Sequence, residues 1–468
     1  MEEPQSKRAR LDSPPKNNGN KKDKETTDLY LETIDRHMLD FDFEKVCSVS
    51  LSHLNVYACL TCGKYYQGRG KTSHAYFHSI DKDHHVFINL TTLKVYVLPD
   101  GYEVDDPSLN DIKYVLNPIL TKEQVAELDN TLKTAYDLNN KKYIPGFVGL
   151  NNIKANDYVN VIIQALAHIP PIRDYFILQD FESKGSSQLV CRFSTLVRKI
   201  WNPRAFKGQV SPHELVQEIS NASRKRFKLT EQSNAIDFLS WFLNTLHKDL
   251  GGTKKRNSSI IYKYFQGEVK VESQEPGIAT EKDALSNFDP RKPIKVQESP
   301  FLFLALDLPP VPLYQDERER DIVPQVPLTT ILSKFDGKRV QEVSNELKRY
   351  SITRLPQYLI LHIKRFTKNN WTNEKNPTIV NFPIKHLDMS NFSNDPEKET
   401  LGAHYDLLAN ISHEGGPEPG KGSYKVHVRH RGTEQWYQIQ DLIVEEMMPQ
   451  MIFMSESYIQ IWERKKRE

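Results

Sequence analysis

The stretch from Cys59 to His84 constrains this chain more than any other. Cys59-Leu60-Thr61-Cys62 is followed by His78 and then His84, a C-x2-C-x15-H-x5-H arrangement. Two thiolates and two imidazoles at such spacing are the donor set of a closed, tetrahedral structural zinc site. The CxxC turn lets both sulfurs reach one ion, and the histidines close its far side. His74 and His85 compete for the imidazole positions, so the histidine pair stays open among His74, His78, His84 and His85. The plain alternative, unrelated buried thiols beside surface histidines, would spend two of only four cysteines at this spacing by accident. Cys47 and His53 lie upstream, but Ser50 stands where a second CxxC would need its thiol. They read as packing residues.

Around these residues, from about residue 40 to 105, the chain has short strand-like runs ("HVFINL", "KVYVL") broken by Gly- and Lys-rich turns. The first 28 residues differ, with almost no large apolar side chains, which is the composition of a disordered tail. That tail (1–28) carries Lys7-Arg8-Ala9-Arg10 and Lys21-Lys22-Asp23-Lys24, a layout suited to a two-part nuclear import signal. Four cysteines in 468 residues argue against a disulfide framework and for a reducing compartment. A net charge of +2 leaves any nucleic-acid binding to local patches. There is no apolar run of about 18 residues, so no membrane span is expected.

Past the small module, "LTKEQVAELDNTLKTAYDLNN" carries a capping box at Thr121 and Gln124, with Val125, Leu128, Leu132 and Tyr136 on one helical face. This predicts a helix docking the module onto the rest, which places the module and its linker at 29–140. "KKYIPGFVGL" marks a boundary. Helical patterns then dominate to about residue 250 ("SPHELVQEISN", "NAIDFLSWFLNTLHKDL"). Strands follow: "FLFLALDLPPVPL", "QYLILHIKRF", "HYDLLANISHE", "SYKVHVRH", "QWYQIQDLIV" and "SYIQIWER". Helices first and antiparallel strands later predict an α+β domain over 145–465, with a cleft between its halves. At the start of that domain "GLNNIKANDYVNVIIQAL" runs from a turn-rich loop into an apolar helix. Such a junction suits a nucleophile, because a helix N-terminus lowers a thiol pKa and its free N–H groups hold an oxyanion. The residue there is Asp157.

Four segments in this order resemble the ubiquitin-specific proteases. They are "GLNNIKANDYVNVIIQAL", "EQSNAIDFLSWFL", "LPQYLILHIKRF" and "YDLLANISHEGGPEPGKGSYKVHV" with "WYQIQD", and the early module resembles that family's UBP-type zinc finger. The resemblance implies a papain-like fold behind the zinc finger, and it lies nearest the family's inactive branch associated with the spliceosomal tri-snRNP. Against the family's G-N-T-C-Y box this chain has Lys154-Ala155-Asn156-Asp157-Tyr158, which puts Asp157 at the nucleophile position and Ala155 at an oxyanion-holding position. The family's G-H-Y triplet is Gly422-Ser423-Tyr424, which puts Ser423 in place of the general base. The residue that orients the base falls at Gln440, ahead of Asp441. Its finger-like subdomain usually carries two CxxC pairs, and these are absent, so no second zinc is expected.

Thiol proteolysis needs a thiolate, an imidazole to relay its proton and a group fixing that imidazole. Asp157, Ser423 and Gln440 supply none of these, and His413 matches a non-catalytic family position. Cys191, flanked by Leu189, Val190 and Phe193, reads as a core thiol. Asp157 is instead expected to N-cap its helix, with Tyr158, Ile162 and Leu166 packed inward. The resulting expectation is a nuclear, non-catalytic scaffold in pre-mRNA splicing that helps assemble or maintain the tri-snRNP and carries one structural zinc. The alternative, an active deubiquitinase with unorthodox residues, would need a Cys–His pair in the cleft. Direct RNA contact through "SRKRFKL" (223–229) or "KKRNSSIIYKYF" (254–265) is the weaker reading, since both suit solvated loops. Ubiquitin capture by the zinc module is also weak, because Gly70 follows Arg69 where relatives have an aromatic. Trp371, in a polar loop, is a candidate anchor for partners.

Overall fold

A computed structural model describes residues 30–275, 288–289, 291–310, 323–343, 346–368, 373–396, 398–416, 418 and 421–465. The two basic clusters of the tail and Trp371 lie outside the described residues. The chain divides into two units, Met1–Leu116 and Asn117–Glu468.

In the first unit the strand-like runs form an antiparallel sheet. Its strands are Val56–Cys59 (β1), Tyr65–Gln67 (β2), Val86–Asn89 (β3), Val95–Val97 (β4) and Tyr102–Val104 (β5), in the order β2-β1-β3-β4-β5. Helix His74–Lys82 (α1) sits between β2 and β3, and Asn110–Leu116 (α2) follows the sheet. Tyr57, Cys59, Tyr66, Ala75, Phe87 and Leu98 make a small core. A module of this size can bury only limited apolar surface, and a metal is the usual supplement. Cys47 is fully buried, as expected. His53 is not a packing residue: its side chain is 64% exposed, 3.8 Å from Glu44.

The capping box at Thr121 and Gln124 forms, but the helix it opens, Lys122–Glu127 (α3), stops well short of Tyr136. Only Val125 of the expected apolar face is buried, and Tyr136 is exposed in the two-residue strand Ala135–Tyr136. Just past the helix the chain is held by a tertiary contact. Asp129 accepts two bonds from the buried Arg173, Nη1 to Oδ1 at 2.7 Å and Nη2 to Oδ2 at 3.0 Å.

The large unit has a helical half: Asp157–Ala167 (α4), Pro170–Leu178 (α5), Gln188–Ile200 (α6), His213–Ala222 (α7), Ala235–Asp249 (α8) and Ile260–Phe265 (α9). Every residue of α4 is buried. A helix buried on all sides belongs in the middle of a core, and α4 packs between the other helices and the main sheet. That sheet is built from Leu304–Asp307 (β8), Tyr358–Lys364 (β11), His404–Gly415 (β12), Gly422–Arg429 (β13), Trp436–Gln440 (β14), Ile443–Met447 (β15) and Ser457–Arg464 (β16). They run in the order β8-β11-β16-β12-β13-β14-β15. Alternate side chains serve two cores. Ile360, Ile411, Val426 and Ile461 join the helices, while Leu359, Leu361, Leu407 and Trp462 form the core on the far face. The strands therefore read as continuous apolar runs.

A second sheet was not evident beforehand. Gly267–Gln274 (β6), Lys295–Phe301 (β7), Asp336–Val343 (β9) and Glu346–Arg354 (β10) pair in the order β7-β6-β10-β9. Most of its residues are half-exposed or exposed, so it carries little of the apolar signal that marks a strand.

Candidate functional site

Two places in the chain carry candidate chemistry. In the first unit, Cys59 ends β1, Cys62 lies in the following turn, His78 is on α1 and His84 precedes β3. The turn depends on Gly63, whose φ is +72° and where any Cβ would lie 2.1 Å from the Met38 carbonyl oxygen. Asp83, at φ 57°, ends α1 in the left-handed region and sends the chain back toward the cysteines. The four ligand atoms all lie within 4.8 Å of one another. Cys59 Sγ is 3.5 Å from His84 Nδ1, Cys62 Sγ is 3.4 Å from His78 Nε2, and those two nitrogens are 3.1 Å apart. Metal–ligand bonds of about 2.0–2.3 Å give tetrahedral edges of roughly 3.5 Å, so the donor set fits zinc in type and size. Burial lowers the His78 pKa below its ordinary value, which keeps the ring neutral and able to ligate.

Of the competing histidines, His85 is turned elsewhere, with Nδ1 2.7 Å from the Leu98 carbonyl and Nε2 2.8 Å from Asp83 Oδ1. His74 opens α1 and is not part of the four-atom cluster. Arg69 lies over the Tyr96 ring at 4.3 Å and donates to the Gly101 carbonyl at 3.3 Å.

The second place is the junction at α4. Asp157 does not N-cap the helix; Asn156 does, without a side-chain cap bond, and Asp157 is the first helical residue. Asn156 Oδ1 instead accepts the Ile153 N–H at 2.7 Å. Asp157 Oδ2 accepts Gln232 Nε2 at 2.6 Å and the Tyr424 N–H at 3.2 Å, and Gln232 Nε2 also donates to the Gly422 carbonyl at 3.0 Å. Burial pushes the Asp157 carboxyl above its ordinary value, against those two bonds. Gln440 Nε2 donates to Ser423 Oγ at 3.3 Å. Asp157, Ser423 and Gln440 therefore lie on two neighbouring strands and the helix that packs on them, with Gln440 bonded to Ser423 and Asp157 bonded to the backbone of the next residue, Tyr424.

Residues that sequence reasoning gave no role hold this junction together. Asp441 accepts Asn160 Nδ2 and Asn152 Nδ2, each at 3.0 Å, and its carbonyl accepts the Leu150 N–H at 2.9 Å. Asn156 Nδ2 donates to Asn160 Oδ1 at 3.0 Å, and Gln164 Nε2 donates to the Val148 carbonyl at 2.7 Å. The sequence held a signal for this. Asn156, Asn160 and Gln164 recur every fourth residue through an otherwise apolar helix, a stripe of amides that burial requires to be satisfied.

His413 is packed edge-on against Phe366 and Tyr424, with ring centroids at 5.0 and 4.8 Å, and burial pulls it down to about 4. Cys191 is buried on α6, where burial pushes its thiol up. In 223–229, Phe227 is buried against Phe238 while Arg224, Lys225, Arg226 and Lys228 face solvent. In 254–265, Ser259 caps α9, Ile261 and Phe265 are buried, and Lys254 and Lys255 are exposed. Both patches divide into core aromatics and solvated cations.

Compared with known families, residues 148–462 match "Ubiquitin carboxyl-terminal hydrolase" and residues 47–109 match "Zn-finger in ubiquitin-hydrolases and other protein". The human protein named "Ubiquitin carboxyl-terminal hydrolase 39" is 52% identical over 94% of this chain and 80% of its own length. "Probable mRNA-splicing protein ubp10" of Schizosaccharomyces pombe is 50% identical over 93% of this chain and 88% of its own length. A solved structure, "Crystal structure of an essential yeast splicing factor", superposes with a TM-score of 0.77 at 31% identity, covering 94% of this chain and 100% of that one.

Proposed function

The chain belongs to the ubiquitin carboxyl-terminal hydrolase family, and we propose that within it the chain is a non-catalytic scaffold for pre-mRNA splicing, acting in assembly or maintenance of the spliceosomal tri-snRNP. Relatives named as splicing proteins match along more than nine-tenths of the chain, which supports the splicing half. The observation that carries the non-catalytic half is Asp157. A carboxylate stands at the nucleophile position, and its Oδ2 ties α4 to Gln232 and β13. Attack by a carboxylate on an amide would give an anhydride, and the hydroxyl of Ser423 has no basicity near neutral pH to relay a proton. The alternative of an active deubiquitinase would need a thiol, and the large unit's one cysteine, Cys191, is a raised-pKa core residue on another helix.

Cys59, Cys62, His78 and His84 hold one zinc ion in this reading, and the ion's part is structural: four protein ligands leave no position for substrate or water. Ubiquitin-tail capture by the module is not part of it, since Arg69 is occupied by Tyr96 and Gly101 and Gly70 brings no ring. A nuclear location and the domain limits 29–140 and 145–465 complete the proposal. Immunodepletion of the protein from nuclear extract, with add-back, tests it. Loss of tri-snRNP on gradients, restored equally by wild type and Asp157→Asn, is expected. Restoration that depends on Asp157, or tri-snRNP that persists without the protein, would defeat it.

A further inference from the structure

The chain has seven methionines, and four of them fall between Met447 and Met454. Met447 ends β15 half-buried against the second core, and the 3-10 helix Pro449–Met454 follows it. Two bonds fix the ends of that helix, from the Met451 N–H to the Met448 carbonyl at 3.0 Å and from the Ser455 N–H to the Ile452 carbonyl at 3.1 Å. Ile452 is fully buried in the second core, and Phe453 packs edge-on against Phe382 with centroids 5.6 Å apart. Side chains three apart eclipse in a 3-10 helix, which rises about 2.0 Å per residue. Met448, Met451 and Met454 therefore follow one another along about 12 Å, and they are 72%, 56% and 73% exposed. The core contacts of Ile452 and Phe453 hold that row in place.

The charges beside the row are of one sign. From Gly432 to Glu463 the chain carries Glu434, Asp441, Glu445, Glu446, Glu456 and Glu463 and no Lys, Arg or His, although its net charge is +2. Glu434 pairs with Lys385, Glu456 with Lys375 and Glu463 with Arg431, while Asp441 takes Asn152 and Asn160. Glu445 and Glu446, on β15 just ahead of Met448, are exposed and have no cation partner among the described residues. We infer that Met448, Met451 and Met454, headed by Glu445 and Glu446, are the docking face for a Lys/Arg-rich amphipathic segment of a partner protein. Exposed apolar patches mark interaction sites, and unbranched, polarisable methionine adapts to the apolar side chains laid on it. The two carboxylates choose the sign of the occupant. They attract Lys and Arg, and they repel a nucleic acid or an anionic membrane. That the segment belongs to another protein rests on the scaffold reading; the face itself is tested without any splicing readout.

The purified full-length protein is titrated with a fluorescein-labelled peptide about five helical turns long, leucine on one face and lysine on the other, and anisotropy is read at low and high salt. A scrambled peptide of the same composition and one with glutamate in place of lysine are the controls. The Leu/Lys peptide is expected to bind, less tightly as salt is raised, and both controls to bind about tenfold more weakly or worse. The triple variant Met448→Ser, Met451→Ser, Met454→Ser should weaken binding by about tenfold or more. Glu445→Lys with Glu446→Lys should do the same and flatten the salt dependence. All five positions are exposed, so both variants should keep the wild-type urea denaturation midpoint. No binding, equal binding of the scrambled peptide, or binding indifferent to either variant would overturn the proposal. Self-association of the wild type that is lost in the methionine variant would overturn the partner-protein assignment and give the face to a second copy of this chain.

Discussion

Asp157 Oδ2 and Gln232 Nε2 lie 2.6 Å apart, and through that bond the residue at the nucleophile position is fastened to the loop that leads into α8. Gln232 extends the link to the Gly422 carbonyl at 3.0 Å, and Asp157 reaches the Tyr424 N–H at 3.2 Å. The helix, the loop and the strand of a would-be cleft are thus held together by a group that cannot attack an amide.

The first prediction from the proposed scaffold role is the absence of hydrolase activity. Incubation with a fluorogenic ubiquitin carboxyl-terminal substrate and a thiol-reactive ubiquitin probe is expected to give neither turnover nor labelling. Asp157→Cys should be equally inactive, because Ser423 and Gln440 provide no base and no group to orient one. Turnover that persists through further purification, or labelling at Cys191, would contradict this.

Zinc removal should unfold the first unit selectively. Metal analysis of the intact protein is expected to give one zinc per chain, held by Cys59, Cys62, His78 and His84. Since metal binding and folding are coupled in small modules, Cys62→Ser should make the segment from about residue 40 to 105 protease-sensitive and leave the large unit folded. An unchanged digestion pattern in Cys62→Ser would rule this assignment out.

The buried Asp157 predicts a pH dependence. Its folded pKa is raised above the ordinary 3.8 by burial. The associated stability is fully present below the unfolded value and is lost as pH rises through the folded one. At neutral pH the ionised carboxylate therefore costs stability that a neutral acceptor would not. Asp157→Asn keeps an oxygen for Gln232 and Tyr424 without the charge. Its stability relative to wild type should be greatest near pH 7 and shrink as the pH falls toward 3.8 and below. Urea denaturation at stepped pH measures the difference, and a gap that is flat or grows on acidification would exclude the mechanism.

Breaking the Arg173–Asp129 pair should be costly. The Arg173 side chain is 2% exposed, binds Asp129 through both terminal nitrogens, and lies 4.8 Å from the Trp201 ring. Removing one partner of a buried pair costs about 3–5 kcal/mol when the other charge is left uncompensated; because Asp129 is 24% exposed and keeps Arg431 at 3.9 Å, no more than the low end, about 3 kcal/mol, is expected for Arg173→Ala. Denaturant midpoints of the large unit would show it, and a loss below about 1 kcal/mol would mean that Asp129 is served by solvent.

Local chemistry made much of this protein legible in its sequence. Cys59 and Cys62 are tied by a short turn and His78 and His84 by one helix and its exit, so spacing alone brought those four to the right neighbourhood. The Thr121–Gln124 capping box is likewise a contact between residues three apart. The strands of the main sheet were readable because both of their faces are buried. Other features were decided by contacts that spacing does not encode. Asp129, just past the end of α3, is held by Arg173, 44 residues on. Asp157 left the cap to Asn156 because Gln232 and Tyr424, 75 and 267 residues away, offer it better donors. His85 stays outside the four-residue donor cluster because Leu98 and Asp83 hold its ring. The β7-β6-β10-β9 sheet stayed hidden because half-exposed strands leave no apolar alternation to read. In the cases of Asp129, Asp157 and His85 a polar group had to find a partner, and only the folded chain determines which partner is within reach.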